Sequence, residues 1–508
     1  MVVVDRSDIA AGASSRSSHM VHGGLRYLEH GHFGLVREAL LERAVLVRMA
    51  PHLVRPARFL IPFGQGDRRP PWMLGIGLKV YDWLAGSANL DRHQVVSLDD
   101  ARVRLPGLPA HGLRGGAIYS DAVMDDARLT LAVALDAIEH GAEVATHTEV
   151  TGAHPSDDGM TLLARDRLTD ESREWEARVV VNATGAWNDD VRQLLLGPGA
   201  HSAPMLRPSR GSHIVFPPLS SPSGMLFFAR SDGRVMFLVP IGDYTLLGTT
   251  ETDRVMDAGE DLPPEDEVRY LLREGQGAIP GAELTAERAL GLMTGVRPLV
   301  RAAHANLGKT PREHRIRVDG RVVSVVGGKY TTFRPMCADV MRSVCGLLGR
   351  DRVAADDESP LPGGEIPSAY GGNFERFLAE EAMRLAPVYP GAVHELPRLI
   401  QAHGARAARV LERDPQGARP LILGLPVLAA EVRYAVEVER ARTLDDVMRR
   451  RTLLWISRDF GRVAAAPVAQ CMAPLLGWDA DRTRDELARW WRFSSGEEHL
   501  LKRAAEQQ

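Results

Sequence analysis

The chain has 508 residues, of which 44% are hydrophobic and 25% charged, with a formal net charge of −4. At roughly 150 residues per domain this is more than one domain, its composition is that of a folded globular protein, and its charge balance gives no reason to expect nucleic acid as a partner. Three cysteines, Cys337, Cys345 and Cys471, lack ligand spacing, so no metal site is expected, and a low, odd count suits a reducing cytoplasm better than a disulfide framework.

Val2-Val3-Val4-Asp5 reads as a short apolar strand ending in an acid, rather than as a secretory leader. A buried parallel strand followed by Asp or Glu is how dinucleotide folds hold a ribose hydroxyl. Ser14-Ser15-Arg16-Ser17-Ser18-His19 supplies hydroxyl donors. Gly23-Gly24 lets backbone approach a flat ligand, and Arg26 and Tyr27 add a cation and a phenol. The apolar stripe Phe33, Val36, Leu40, Ala44, Val47 and Met49 predicts a helix ending near Ala50, before Pro51. Arg55–Phe63 reads as a strand. Trp72–Leu84 reads as a helix, either buried or facing a membrane interface through its tryptophans and Tyr81.

Asp125–His140 predicts a helix with an acidic N-terminus. Gly141–Val150 reads as one strand, and Met160–Arg165 with Glu174–Val181 as a hairpin feeding Asn182-Ala183-Thr184-Gly185. Small residues at a strand's carboxyl end are where open α/β sheets bind ligands. Four strand signals separated by turns between Gly211 and Glu251 predict an antiparallel sheet. A helix is expected over Pro263–Glu274, and a hairpin around Asp319-Gly320 that leads into Gly327-Gly328-Lys329 and a helix from about Thr332. Pro360–Gly372 reads as a boundary, and Asn373–Arg492 as helical. No run reaches the 18 or so apolar residues that span a bilayer.

The segment Ala11–Glu29 resembles the FAD-dependent glycerol-3-phosphate dehydrogenases. The resemblance continues through Asp125-Asp126-Ala127-Arg128-Leu129, Asn182-Ala183-Thr184-Gly185, Gly211-Ser212-His213, Gly295-Val296-Arg297-Pro298-Leu299, Gly327–Thr332 and Thr443–Thr452. It implies an α/β chain in three parts. An FAD-binding Rossmann-like parallel sheet takes residues 1–70, 115–200 and 313–355. An antiparallel-sheet substrate domain takes 71–114 and 201–312, and a C-terminal α-helical domain 360–508. The family's pattern opens with a strand and a G-x-G-x-x-G turn ahead of the acid-tipped strand, so roughly 30 residues of it are not in this sequence. The parallel sheet is therefore expected to be truncated at its start, and the residues present to bind FAD weakly or not at all.

The implied reaction is oxidation of sn-glycerol 3-phosphate to dihydroxyacetone phosphate, with hydride passed to FAD and electrons on to a membrane quinone. The resemblance places FAD against Asp5, Ser14, Ser15, Ser17, Ser18, His22, Gly23, Gly24, Thr184, Gly185, Gly327, Gly328 and Lys329. It assigns Arg26, Tyr27, Arg312 and Thr331 to the substrate, with Arg297 and Lys329 near the reacting oxygen. Arginine forks and a phenol suit a phosphate dianion. His213 is the candidate base, because imidazole titrates in the useful range, with Lys329 as its competitor; His19 and His22 are expected to order the flavin loop. The resemblance leaves room for a homodimer and for contact with the inner face of the cytoplasmic membrane. Two other readings stay open: a same-fold oxidase of an amine or amino acid, and a flavin-free remnant.

Overall fold

A computed structural model describes residues 1–64, 69–197, 203–219, 223–253, 262–301, 314–351 and 358–506. Besides one short parallel contact inside the large sheet, between Gly224-Met225 and Phe59-Leu60, the described strands pair in parallel in two places. Strand Val2–Val4 pairs with Glu143–Ala145, and Val180–Asn182 pairs with Val322–Gly327, whose other edge carries His314–Asp319 antiparallel. Arg6 lies over the ring of Trp187, 4.3 Å from its centre, and brings the carboxyl ends of the two parallel pairs together. Helix Asp126–Glu139 leads into Glu143–Ala145, and helices Asn188–Leu196 and Phe333–Leu348 follow Val180–Asn182 and Val322–Gly327, as a Rossmann-like α/β unit requires. Asp125 caps the first of them by accepting from the N–H of Arg128 at 3.0 Å.

Two strands expected from sequence divide differently. The single strand over Gly141–Val150 is broken at Thr146-His147, where His147 takes a positive φ of 51° and its N–H donates to Ser7 O. Thr148–Ser156 then starts a separate three-stranded antiparallel sheet with Gly159–Asp166 and Ser172–Ala177. The second hairpin strand stops at Ala177, and Val180–Asn182 leaves for the parallel pair. Strand-forming residues alternate through both breaks (Val144, Thr146, Thr148, Val150; Trp175, Ala177, Val179, Val181), so periodicity alone does not reveal them.

The large antiparallel sheet has nine strands. Its path runs Gly291–Val300, Leu206–Phe216, Tyr244–Gly248, Val235–Ile241, Gly224–Phe228, Val54–Gly64, Leu113–Met124, Met20–Val21, with Gln94–Ser97 paired to Leu113–Met124 off that path. Val54–Gly64 and Leu113–Met124, which the sequence reading groups with the flavin-binding segments, are thus hydrogen-bonded into the sheet that carries His213 and Arg297. One face packs on helix Glu265–Ala278 through Val268, Leu271 and Leu272, all fully buried.

Beyond Glu358 the described chain is helical apart from an isolated bridge between Pro420 and Leu428. It is fastened to the front of the molecule by buried charge. The turn of π-helix Asp446–Arg451 presents Arg450 and Arg451 to Asp8, with Nε and Nη contacts of 2.7, 2.8 and 2.9 Å. Arg450 also donates to Asp446, whose other oxygen meets His147 Nε2 at 3.0 Å. Asp8, Asp446 and His147 converge much as metal ligands do, but guanidinium and backbone N–H groups already occupy the carboxylate oxygens. Asp8 is fully buried, so removing its charge leaves two buried guanidinium groups short of compensation. Asp8→Asn should therefore lower unfolding stability by about 3–5 kcal/mol, whereas Arg48→Ala, which breaks the exposed Arg48–Glu358 pair, should change it by less than about 1 kcal/mol. Denaturant midpoints of the two variants compared with wild type check this.

Candidate active site

The loop from Ser14 to Gly24 is shaped by two buried carboxylates at one end of strand Leu113–Met124. Asp126 accepts from the Ser17 N–H at 3.1 Å and from its hydroxyl at 2.7 Å, and lies 3.5 Å from His19 Nδ1. His19 carries a left-handed backbone, φ 52°, and its ring also meets Met124 O at 3.1 Å. Asp121 accepts from Arg43 at 2.7 Å, from the Tyr81 hydroxyl at 2.8 Å and from the Gly23 N–H at 3.3 Å. Burial raises both carboxyl pKa values; the Arg43 charge opposes this at Asp121, and His19 at Asp126. Gly23 has no space for a side chain: a Cβ there would fall 2.5 Å from the Tyr81 oxygen and 2.6 Å from Leu40.

This loop forms one wall of a cavity of about 390 Å³. Ser14, Arg16, Ser17, Ser18 and His22 come from the loop, and Gly211 and His213 from strand Leu206–Phe216. Gly295 to Leu299 come from strand Gly291–Val300, and Gly327 to Thr331 from the turn before helix Phe333–Leu348. His213 is buried, and its Nε2 lies 2.9 Å from the Ser18 hydroxyl while Nδ1 has no hydrogen-bond partner among the described residues. Burial, then the nearby charge of Arg297, pushes its pKa well below the usual imidazole range, so the ring is neutral at neutral pH. The Arg297 guanidinium lies across Gly211, whose Cα hydrogens leave the room it needs: a Cβ there would stand 2.1 Å from Nη2. Lys329 Nζ donates to His22 O and is 7% exposed. Thr331 Oγ1 accepts from the His22 N–H at 3.4 Å.

Ser14, Ser17, Ser18, His22, His213, Arg297, Gly327, Gly328, Lys329 and Thr331 thus meet around one space. Others stand outside its lining. Tyr27 is buried with its ring packed where a Gly24 side chain would be, and Arg26 lies over that ring at 5.5 Å; neither is among the residues that line this cavity. Gly23 and Gly24 act behind the loop wall, and Ser15 sits in a short 3-10 turn without reaching the lining. Asp5, at the end of strand Val2–Val4, accepts from the Ser7 N–H at 2.8 Å, and Thr184 donates to Asn182 at 2.7 Å ahead of the turn at Gly185. Arg312 lies outside the described residues. Arg16, Thr130 and Met336 line the cavity without having been expected. Arg16 stands directly between Ser15 and Ser17, and its only sequence signal is that position.

A family model described as "FAD dependent oxidoreductase" matches residues 1–341, and one described as "C-terminal domain of alpha-glycerophosphate oxidase" matches 356–483. The chain is 34% identical over 496 residues to the glycerol-3-phosphate dehydrogenase of Mycobacterium leprae, covering 96% of this chain and 83% of that one. The chain belongs to the FAD-dependent glycerol-3-phosphate dehydrogenases. The crystal structure of the family member from Bacillus halodurans, complexed with FAD, superposes with a TM-score of 0.74 at 26% identity, over 99% of this chain and 89% of that one. A D-erythritol 1-phosphate dehydrogenase from Brucella abortus is also 34% identical, over 89% of each chain.

The cavity suits the flavin ring of such a dehydrogenase. Gly211, Gly295, Gly327 and Gly328 bring bare backbone to its wall, and Arg16, Arg297 and Lys329 supply the positive field that a reduced flavin anion needs. Gly328 has a φ of 112°, and a Cβ there would lie 2.8 Å from Met336 Sδ. Gly328→Ala should cost more than about 1 kcal/mol of stability and reduce flavin retained per chain, read from the absorbance of flavin released on denaturation.

Proposed function

We propose that this chain oxidises sn-glycerol 3-phosphate to dihydroxyacetone phosphate and delivers the electrons to a quinone at a membrane surface. The observation that carries the reading is that Arg297, Lys329 and the neutral ring of His213 line one cavity, with the Arg297 charge close enough to act on the ring. FAD, when bound, supplies the hydride acceptor. Ser14, Ser17, Ser18, His22, Gly327 and Gly328 hold it, with Asp5, Thr184 and Gly185 in place for its nucleotide end.

The residues of the chain then have three tasks. Arg297 and Lys329 face the negative charge of the substrate and of the alkoxide that forms as its hydroxyl loses a proton; such fixed cations carry most of the effect in a site with little water. His213 takes that proton. Its depressed pKa keeps it in the accepting form, and the Ser18 hydroxyl fixes the ring's orientation. Arg26, Tyr27 and Arg312 are assigned to the phosphate by family resemblance alone; Arg26 and Tyr27 are not among the residues lining the cavity.

Phosphate recognition separates this reading from an amine or amino acid oxidase. Purified holoenzyme with a dye acceptor should turn over glycerol 3-phosphate, and glycerol far more slowly. Arg297→Ala should lower kcat/KM by about 1.5–3 kcal/mol, the worth of a charge-assisted contact. D-erythritol 1-phosphate, named in the Brucella relative, tests whether a longer polyol phosphate is preferred. Wild-type kcat/KM in Arg297→Ala, or oxidation of amino acids in place of polyol phosphates, overturns the assignment. A colourless protein that takes up no added FAD would favour the flavin-free reading.

Membrane contact rests on helix Pro71–Ala85. It buries Leu78, Tyr81 and Leu84 and leaves Trp72 68%, Ile76 55% and Trp83 77% exposed. Tryptophans on an amphipathic helix suit the headgroup region. Among the described residues no helix is long and apolar enough to cross a membrane. Trp72→Ser combined with Ile76→Ser and Trp83→Ser should abolish co-sedimentation with anionic phospholipid vesicles and quinone reduction in them, while dye-linked turnover in solution persists.

A further inference from the structure

Arg297 does not hold its own position. Nη1 donates to Arg210 O at 3.3 Å and Thr250 O at 3.2 Å, and Nη2 to the Thr249 hydroxyl at 2.7 Å. Two of these three acceptors belong to Thr249-Thr250, the segment that leaves strand Tyr244–Gly248. That segment is held in turn by Glu267, from the first turn of helix Glu265–Ala278.

The Glu267 carboxylate is 4% exposed and takes hydrogen bonds from three hydroxyls. Thr250 donates at 2.7 Å to one oxygen, which Ser212 also reaches, and Thr252 donates at 2.7 Å to the other. Arg210 Nε stands 3.7 Å away. Thr250 Oγ1 also accepts from the Ser212 N–H at 2.8 Å, so one hydroxyl links the carboxylate, the His213 strand and the Arg297 clamp. Ser212 and Thr250 are buried, and water cannot replace a lost partner without rearrangement. A helix packed mainly by apolar contacts has no need to bury a carboxylate for its own stability. What the carboxylate fixes is the clamp.

We propose that Glu267 is a positioning residue of the dehydrogenase reaction: through Thr250 and Ser212 it sets the position of the Arg297 guanidinium against the substrate. This rests on the assignment of Arg297 to the substrate site. Glutamine fills the same space, but it has one acceptor oxygen for two positions, so either Thr252 or the Thr250–Ser212 pair faces an amide nitrogen that cannot accept a hydroxyl proton, and the hydroxyls joined through the carboxylate must reorient. The loosened clamp lets Arg297 shift, and misplacement on the scale of an ångström costs on the order of a hundredfold in rate.

The test is a double-mutant cycle on the FAD-loaded enzyme with glycerol 3-phosphate, using Glu267→Gln, Arg297→Ala and the pair, with flavin content and melting temperature recorded for each. Expected are a loss of about ten- to a hundredfold in kcat/KM for Glu267→Gln, partial recovery in Glu267→Asp, and less than about a twofold further change when Glu267→Gln is added to Arg297→Ala. Additive losses in the pair, or full activity of Glu267→Gln, overturn the proposal while leaving Arg297 in place. Should Glu267→Gln fail to fold, Thr250→Val breaks the same link and must show the same non-additivity with Arg297→Ala. Full activity of Arg297→Ala alone overturns the site assignment, and the proposal with it.

Discussion

Two buried carboxylates, Asp121 and Asp126, determine where everything else in the site stands. They bracket the end of one long strand and reach the same loop from either side, Asp126 through Ser17 and His19, Asp121 through Gly23. A loop of serines and glycines has little side-chain packing of its own and would otherwise sample many conformations. Burial makes each charge costly to leave unpaired, so the loop conformation that satisfies both is strongly selected. The Ser18 hydroxyl at His213 and the His22 carbonyl at Lys329 follow from that selection. The recognition surface is assembled from the loop outward, and the two sheets meet on it.

The same logic sets the electrostatics. The site gathers Arg16, Arg297 and Lys329 around a histidine kept neutral by burial. Among the described residues, no carboxylate lines the cavity. Those nearby, Asp121, Asp126 and Glu267, are turned away from it and consumed by backbone N–H groups, hydroxyls and Arg43. The field at the cavity is therefore positive, which suits an anionic ligand. In a space with little water such a field acts more strongly than the same charges would at the surface.

The sequence made the loop, the helix boundaries and most of the cavity wall legible, because serines, paired glycines and helical stripes signal locally. Phe33–Met49 and Asp126–Glu139 fall within a residue or two of their expected ends. The motifs around Gly211, Gly295 and Gly327 converge although they are far apart in the chain. What was not legible depends on partners distant in sequence. Nothing local says that Val180–Asn182 leaves its hairpin for Val322–Gly327, or that His147 breaks a strand to meet Asp446. Arg26 and Tyr27 have the chemistry of phosphate ligands, but that the Tyr27 ring packs beside Gly24 with Arg26 over it depends on the fold and is not legible locally. Glu267 was invisible for the complementary reason: a Glu on a helix reads as solvated until the fold buries it.

The helical C-terminal part supplies none of the described residues that line the cavity, yet it bears on the site through the chain that enters it. Arg450 and Arg451 hold Asp8, and Asp8 lies between the end of strand Val2–Val4 and the serines that begin at Ser14. On the other side of the same junction, Arg128 from the helix headed by Asp126 donates to Glu439 at 2.7 Å and to Ala402 O at 2.7 Å. The helical part therefore grips both the start of the loop and the helix whose first residue pins its middle. Loosening that grip would free the loop at its entry and tilt the carboxylate that orders it, without touching a single lining residue. The site thus depends on helices outside its own lining, because its central loop is too glycine- and serine-rich to hold a shape alone.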